Sequence, residues 1–540
     1  MSRDVKAVTL RAMQTMPRPD LQAALAAHRF GLGEPQLSVV GSDAAAWLIH
    51  QIGPAEPQRG NGLASGVEGL KRFAEFLREQ RRPAAMAGGE LGMAGSTTGP
   101  TPGATGGGVA AGAAGAGASP PLGPSGAVPR LSSTDPRPAE QQFGEHFRQI
   151  VQNDVRARLS TAALSTQPFN ERIALFWANH FTVSMAKASA RGIVGAFERE
   201  AIRPHTGGNF ETLLKAVVHH AGMLRYLDND NSAGADSTLV RRLTQRARNN
   251  NTAPPRISGL NENLAREVLE LHTLGVAGGG AAYGGWGGYT QADVTEFARV
   301  LTGWRVPLGE LLNAAPGAAN TAAVRFDAHW HQPGSKTVLG QRYAEGPESL
   351  GAVLHDLARH PSTARFIATK LARHFVADEP APALVARLEA NFRSTGGDLP
   401  SLYRTLVQSP EAWAPQAVKL KTPEEFVLST VRLLRLGEQA FARNADAGIT
   451  LLGQRVQAAP SPAGWPDRAE EWLGPDAVWK RVEWATRVAD RVGRQLDARA
   501  LAQASLGPLL HDATLQQINR AADGPQALAL LLLAPEFQRR

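Results

Sequence analysis

The sequence predicts a mainly α-helical protein, built as a multi-helix array or bundle with minor short strands and a long disordered insert. Apolar residues recur at the 3.6-residue period of amphipathic helices in many segments. Alternating β-branched runs are scarce, and glycine and proline are concentrated in one stretch. The chain of 540 residues is longer than one compact core usually accommodates, so two lobes or a large helical array are expected.

Composition excludes several classes of protein. The hydrophobic fraction of 43% is ample for a core, yet no run approaches the roughly 20 apolar residues of a membrane span. Residues 1–20 lack the continuous apolar stretch of a secretory signal. The absence of cysteine excludes disulfides, thiolate metal sites and a cysteine nucleophile. We therefore expect a soluble protein with a cytoplasmic location.

The net charge of +8 arises mostly from arginine, and only nine of the 57 basic residues are lysine. A basic balance can indicate a nucleic-acid partner, but these arginines are dispersed as singles and pairs without an aromatic-interleaved stripe. The densest cluster is "RRLTQRARNNN" at 241–251, which we interpret as a loop or frayed helix. The sequence therefore predicts no nucleic-acid binding.

One boundary is clear in the chain. Residues 83–129 contain 14 of the 55 glycines and almost no charge. Such a segment buries too little apolar surface to offset its ordering entropy, so we predict a disordered Gly/Ala/Pro-rich insert. It separates an N-terminal helical part, 1–82, from a main helical body, 130–540.

Helical periodicity is strongest in the segments 66–82, 139–160, 168–181 and 289–304, and Thr290 begins the last of these with a capping-box spacing. Strands are expected only in short pieces near 324–343, where "KTVLGQRY" is typical of a hairpin arm. No fixed-period repeat is present, which argues against an idealised solenoid. Further helices are predicted at 347–359, 361–377, 380–393, 398–408, 423–436, 465–473, 476–496 and 523–534.

Eight motifs occur in order along the chain. They are "HRFGLGEP" (28–35), "ERIALFWANHFTVS" (171–184), "FEREAIRPH" (197–205), "MLRYLDN" (223–229), "NENLAREVLELHTLG" (261–275), "GYTQADVTEFARVLTGW" (288–304), "HQPGSKTVLG" (331–340) and "ATKLARHFVADEP" (368–380). With these motifs the chain resembles, from about residue 24 to the C-terminus, the bacterial family of uncharacterised proteins called domain of unknown function 1800. The family implies no established activity. Its members are often encoded beside proteins of domain of unknown function 1501, which the resemblance implies as a partner.

The segment 261–275 carries the densest group of chemically active side chains. On one interpretation Glu262, Arg266, Glu267 and Glu270 belong to a solvated helix face. Its i,i+4 ion pairs, Glu262–Arg266 and Arg266–Glu270, each contribute about 0.3 kcal/mol. On the other, they hold a polar ligand or orient a general base. In both, a regular helix buries the stripe formed by Leu264, Val268, Leu271 and Leu274.

His180 follows an aromatic-rich helix and needs a polar partner if it is buried. We expect Glu267 and Arg266 to lie near it and partly buried. A core histidine without a chemical role is the alternative.

A divalent metal is a further possibility, with no cofactor fixed by the sequence. Asp327, His329 and His331 alternate at period two, so an extended backbone would direct all three side chains to one side. Nitrogen and oxygen ligands of this kind suit Zn²⁺, Mn²⁺ or Fe²⁺.

Two functions are compatible with these patterns. The first is an enzyme or ligand-binding protein with a polar cleft between helices, lined by His180, Glu262, Arg266, Glu267 and His331. Hydrolysis or a metal-assisted oxidation would suit those side chains. The second is a non-enzymatic helical scaffold that binds a partner protein. The two differ in whether the five side chains converge.

Overall fold

The computed structural model describes residues 16–87, 139–253, 259–276, 288–313 and 323–540. Helices dominate these residues, which confirms the predicted mainly α fold. The α-helices are α1 (Pro19–Leu25), α2 (Ala44–Ile49), α3 (Gly66–Ala87), α4 (Ala139–Leu164), α5 (Pro168–His180), α6 (Val194–Phe197), α7 (Phe210–Val218), α8 (Ala221–Tyr226), α9 (Thr238–Asn249), α10 (Asn263–Glu267), α11 (Gln291–Leu301), α12 (Leu308–Asn313), α13 (Glu348–Arg359), α14 (Pro361–Phe375), α15 (Pro382–Thr395), α16 (Leu399–Gln408), α17 (Pro423–Leu433), α18 (Pro475–Val492), α19 (Ala498–Ser505), α20 (Asp512–Arg520), α21 (Gly524–Leu533) and α22 (Pro535–Gln538).

Four short strands form two antiparallel pairs. β1 (Trp304–Arg305) pairs with β2 (Arg325–Phe326), and β3 (Lys336–Val338) pairs with β4 (Gln341–Tyr343). Leu339 and Gly340 join β3 to β4 with φ angles of 51° and 77°, the left-handed conformations that a two-residue hairpin turn requires. The expected hairpin near 336–343 is confirmed.

The segments 465–473 and 241–251 differ from their predicted secondary structure. The segment 465–473 was predicted as a helix, but it is a loop with one 3₁₀ turn, Ala469–Trp472. Conversely, the arginine-rich segment 241–251 was interpreted as a loop or frayed helix, and most of it belongs to α9. Ser237 caps that helix by accepting a hydrogen bond from the Val240 amide.

The predicted disordered insert, 83–129, lies outside the described residues from position 88 onward. Residues 83–87 belong to α3, so this helix continues past the predicted boundary at 82. The helices that flank the insert pack on each other through Phe76, Phe143 and Phe147. The Phe76 and Phe143 rings are 5.0 Å apart, edge to face.

A continuous hydrophobic core joins the two ends of the chain. Phe30 packs against Phe169, Phe375 and Trp413, with ring centroids 5.0–6.1 Å apart. The same core extends to Phe537 in α22. None of the helices in the described ranges is both long and apolar enough to cross a membrane.

Three π-helical turns continue α1, α6 and α10: Ala26–Phe30, Glu198–Ile202 and Val268–Thr273. A π turn contains more residues than an α-helical turn, so it rotates every side chain that follows. In the segment 261–275 this rotation buries Leu269 and His272 and leaves Leu271 and Leu274 only partly buried. The predicted regular stripe is therefore wrong in its second half.

Candidate functional site

A cavity of about 90 Å³ opens between α4, α5, α14 and the start of α17. The loop 454–467 closes the remaining side of the cavity. The polar side chains of the lining include Arg158, Arg172, Glu198, His374, Glu425 and Asp467.

His374 and Asp467 form a hydrogen-bonded pair in this lining. His374 lies in the last turn of α14, and its Nδ1 is 3.1 Å from Asp467 Oδ2. Lys419 Nζ is 3.1 Å from the other carboxylate oxygen of Asp467. His374 and Asp467 both line the cavity, but side-chain exposures of 14% and 25% show that the pair is mostly buried, and His374 Nε2 is itself a buried atom.

The protonation state of this pair follows from its surroundings. Burial lowers the pKa of His374, so the imidazole is neutral near pH 7. Burial opposes ionisation of Asp467, but the His374 hydrogen bond and the Lys419 and Arg540 charges outweigh it and hold its pKa below the usual range. An ionised Asp467 can only accept hydrogen bonds, so Nδ1 of His374 carries the proton and Nε2 carries the lone pair.

Asn179 holds the loop that supplies Asp467. Its amide donates to the Trp465 carbonyl at 2.9 Å, and its Oδ1 accepts from the Trp465 N–H at 2.8 Å. Gly464 precedes this contact with φ of +83°, and an added Cβ would lie 2.4 Å from the Asn179 carbonyl oxygen. A glycine is therefore required where the loop meets the end of α5.

Glu425 joins two arginines beneath the cavity. It lies in the first turn of α17, where its Oε2 accepts from the Thr422 N–H at 2.9 Å in a capping box. Its Oε1 accepts from Arg172 and, at 2.9 Å, from Arg540 Nη2. Burial alone would raise the pKa of Glu425, but the Arg540 and Arg172 charges outweigh it and lower the pKa to about 2.

On the opposite wall of the cavity, Arg158 links two carboxylates. Its guanidinium donates to Glu198 and, through Nε at 2.9 Å, to Glu424. Glu198 is the first residue of a π turn, and Gln58 donates to its carboxylate at 2.9 Å. Both carboxylates of this wall therefore share one buried arginine, and Arg203 lies 3.6 Å from Glu198 as a second cation.

The comparison with protein families gives one result. The family model described as Protein of unknown function (DUF1800) matches residues 25–539, nearly the whole chain. The chain belongs to the DUF1800 family. No curated protein and no solved structure matches this DUF1800 chain.

His180 of the DUF1800 chain is a core residue. It is 1% exposed, and its ring lies 4.4 Å from Phe181 and 5.3 Å from Trp177. Its Nε2 is 3.2 Å from the His272 carbonyl oxygen. The segment 261–275 thus supplies the polar contact of His180, as expected. The contact is made by the backbone of His272 rather than by Glu267 or Arg266.

Glu262 and Arg266 form an ion pair of 3.2 Å, and each remains partly exposed. Glu262 also accepts from Thr295 Oγ1 and Gln291 Nε2, at 2.7 Å each, and so ties α10 to α11. Glu267 is partly buried, as expected. Burial first, and then Glu270, raises its pKa to about 7.

His331 lies in a separate buried contact. Its Nδ1 is 2.7 Å from the Thr302 carbonyl oxygen, and its Nε2 accepts from Lys336 Nζ at 2.8 Å. Burial lowers the pKa of Lys336 to about 8. Of the five predicted site residues, the structure pairs Glu262 with Arg266 directly, and none of the five lines the cavity.

The expected extended backbone at 327–331 is wrong. The Trp330 N–H donates to the Asp327 carbonyl at 3.0 Å, which closes a turn. Asp327 Oδ1 accepts from the His329 amide at 3.0 Å, so it is directed to its own backbone. Across the described ranges, no three His, Asp or Glu side chains lie close enough together to hold a metal ion.

Sequence reasoning missed the cavity although its residues lie in recognisable segments. Arg172, Asn179, Glu198 and His374 all belong to the motifs that carry the family resemblance. Asp467 lies in "PSPAGWPD", where three prolines and a glycine are typical of a loop. That loop signal was outweighed by the helical pattern of the residues after it.

Proposed function

We propose that this DUF1800 protein is an enzyme in which His374 acts as a general base on a small polar substrate bound in the cavity. Water activation for the hydrolysis of an ester or phosphoester is the reaction that suits the site. His374 Nε2 takes a proton from water, the resulting hydroxide attacks the substrate, and the proton passes to the leaving alcohol.

The observation that carries this proposal is the orientation of His374 by Asp467 at the cavity wall. An ionised carboxylate on Nδ1 selects the tautomer whose Nε2 lone pair is free, and it stabilises the imidazolium that forms during proton transfer. His374 Nε2 makes no hydrogen bond within the described part of the chain. The lowered pKa of His374 keeps this nitrogen unprotonated at neutral pH.

The test measures hydrolysis of p-nitrophenyl acetate and p-nitrophenyl phosphate by the full chain. His374→Asn should lower kcat/KM by about 100-fold or more, the usual contribution of a general base. Asp467→Asn should also lower it, because the amide no longer selects the tautomer. His355→Asn is the matched control, since His355 pairs with Glu211 at 2.9 Å on the surface and outside the cavity.

The pH profile provides a second readout. Because burial lowers the pKa of His374, the rate should be constant at neutral pH and fall only in a more acidic range than an ordinary histidine would give. Failure of the wild-type protein to hydrolyse either compound would contradict the proposal. Equal rates for the wild-type protein and His374→Asn would also contradict it.

The exposed apolar surface at the start of α18 favours a second candidate, a scaffold that binds a partner protein. Trp479 is 62% exposed, its neighbour Val478 is 42% exposed, and Leu473, just before the helix, is also 42% exposed. Exposed aromatic residues of this kind are enriched in protein interfaces. We propose a protein of domain of unknown function 1501 as this partner. Co-purification should be lost in Trp479→Asp and kept in Trp47→Phe if this surface binds it.

A further inference from the structure

Arg172, a residue of the cavity lining, has a hydrogen-bond donor of fixed position without an acceptor among the described residues. Arg172 is 1% exposed, its Nε donates to the Gly31 carbonyl at 2.8 Å, and its Nη1 donates to Glu425. Its Nη2 has no partner among the residues described. Because a buried guanidinium nitrogen without an acceptor is costly, the position favours a ligand that accepts from it.

Gln457, in the cavity lining, provides a second, independent observation. Both atoms of its side-chain amide are buried and make no hydrogen bond within the described ranges. Its backbone φ is +54°, a left-handed conformation that is uncommon for residues other than glycine. Strained residues of this kind cluster at ligand sites, where the surrounding structure enforces them.

The charge behind Arg172 is positive. Arg172 and Arg540 share the Glu425 carboxylate, while Lys421 and Arg481 interact with it only through space. Burial first, and then these three arginines, lower the pKa of Lys421 far below its usual range. A negative charge placed near Arg172 would therefore be stabilised.

Each carboxylate of the lining is already paired with a cation. Arg158 donates to both Glu198 and Glu424, and Lys419 lies against Asp467. The carboxylates of the cavity are thus occupied by protein donors, whereas Arg172 Nη2 and Gln457 Nε2 have no acceptor among the described residues.

We propose that the cavity binds an oxyanion group, a carboxylate or a phosphate, through Arg172 Nη2 and Gln457 Nε2. The side-chain Oε1 of Gln457 accepts from a hydroxyl or amine on the same ligand. The inference rests on the proposed function, since it names the chemical class of the substrate presented to His374. A cavity of about 90 Å³ admits a small molecule of this kind.

The test is calorimetric titration of the full chain with sodium phosphate and with sodium acetate, against sodium chloride at equal ionic strength. We expect saturable binding of at least one oxyanion, and the two titrations distinguish phosphate from carboxylate recognition. Gln457→Leu keeps the side-chain size and should weaken binding about tenfold, the effect of one hydrogen bond to a charged group. Gln245→Leu, an exposed glutamine of α9, should bind like the wild-type protein.

Arg172→Lys removes Nη2 and should abolish binding, and Gln457→Leu remains informative if that variant does not fold. Absence of saturable binding of both oxyanions, or equal binding by the wild-type protein and Gln457→Leu, overturns the inference. Oxyanion binding without hydrolysis rejects the proposed reaction alone, and hydrolysis without oxyanion binding rejects only the ligand class.

Discussion

Glu425→Gln removes the negative charge beneath the cavity while it keeps the shape of the side chain. In the folded protein Glu425 accepts from Arg172 and, at 2.9 Å, from Arg540. The amide leaves two buried guanidinium groups without their shared counter-charge. Breaking a buried ion pair on one side typically costs about 3–5 kcal/mol.

The pKa of Glu425 gives an independent magnitude. The fall from 4.5 to about 2 corresponds to about 3 kcal/mol at about 1.4 kcal/mol per pH unit. Because the folded-state pKa is lowered, this stability is fully present above the unfolded value of 4.5 and is lost as pH falls through about 2. The free energy of unfolding of the wild-type protein should therefore exceed that of Glu425→Gln by about 3 kcal/mol at pH 7 and by about 2 kcal/mol at pH 3.5.

Urea unfolding followed by circular dichroism at pH 7, 5 and 3.5 measures this difference. Glu483→Gln is the matched control, because Glu483 forms an exposed i,i+4 pair with Arg487 at 3.1 Å. Glu483→Gln should lower the free energy of unfolding by at most about 0.5 kcal/mol. A Glu425→Gln loss as small as the control, or one that does not shrink towards pH 3.5, would refute the reasoning.

Two further substitutions test the interior. Lys421→Met should raise the free energy of unfolding by about 1–3 kcal/mol, because it replaces a buried amine that has no hydrogen-bond partner among the described residues. The pKa of Lys421 is lowered on folding, so urea unfolding should show this gain at pH 7 and a smaller gain towards pH 10.5. Asn179→Ala should cost about 1–2 kcal/mol through the loss of two hydrogen bonds to Trp465. Hydrogen exchange of the Trp465 amide should accelerate in that variant, and an unchanged rate would contradict the role assigned to Asn179.

Much of the fold could be predicted because helix periodicity is local. The expected helix at 168–181 is observed as Pro168–His180, and the expected helix at 361–377 as Pro361–Phe375. In both, apolar residues at the helical period pack into the core. The prediction failed at 465–473, where Pro466 and the contact with Asn179 hold the backbone in a loop.

The cavity could not be predicted in the same way, because its contacts join distant parts of the chain. Arg172 and Glu425 are 253 positions apart, and each lies on a helix that is buried on nearly all sides, although a charged residue is usually solvated. Asp467 meets His374 across 93 positions. The segment 261–275 has a high local density of charged residues. In the folded protein these residues form a partly exposed contact between α10 and α11.

The π turns have a consequence for how this interior tolerates insertions and deletions. His28, Glu198 and His272 each lie in a π turn, and all three are at most 3% exposed. Their burial depends on helix phase, because removal of one residue from such a turn would rotate everything that follows by about 100°. A single deletion there would move a polar side chain out of the core, although every remaining residue keeps its identity. The chemistry of the interior is thus encoded partly in spacing, and a substitution scan alone would not detect it.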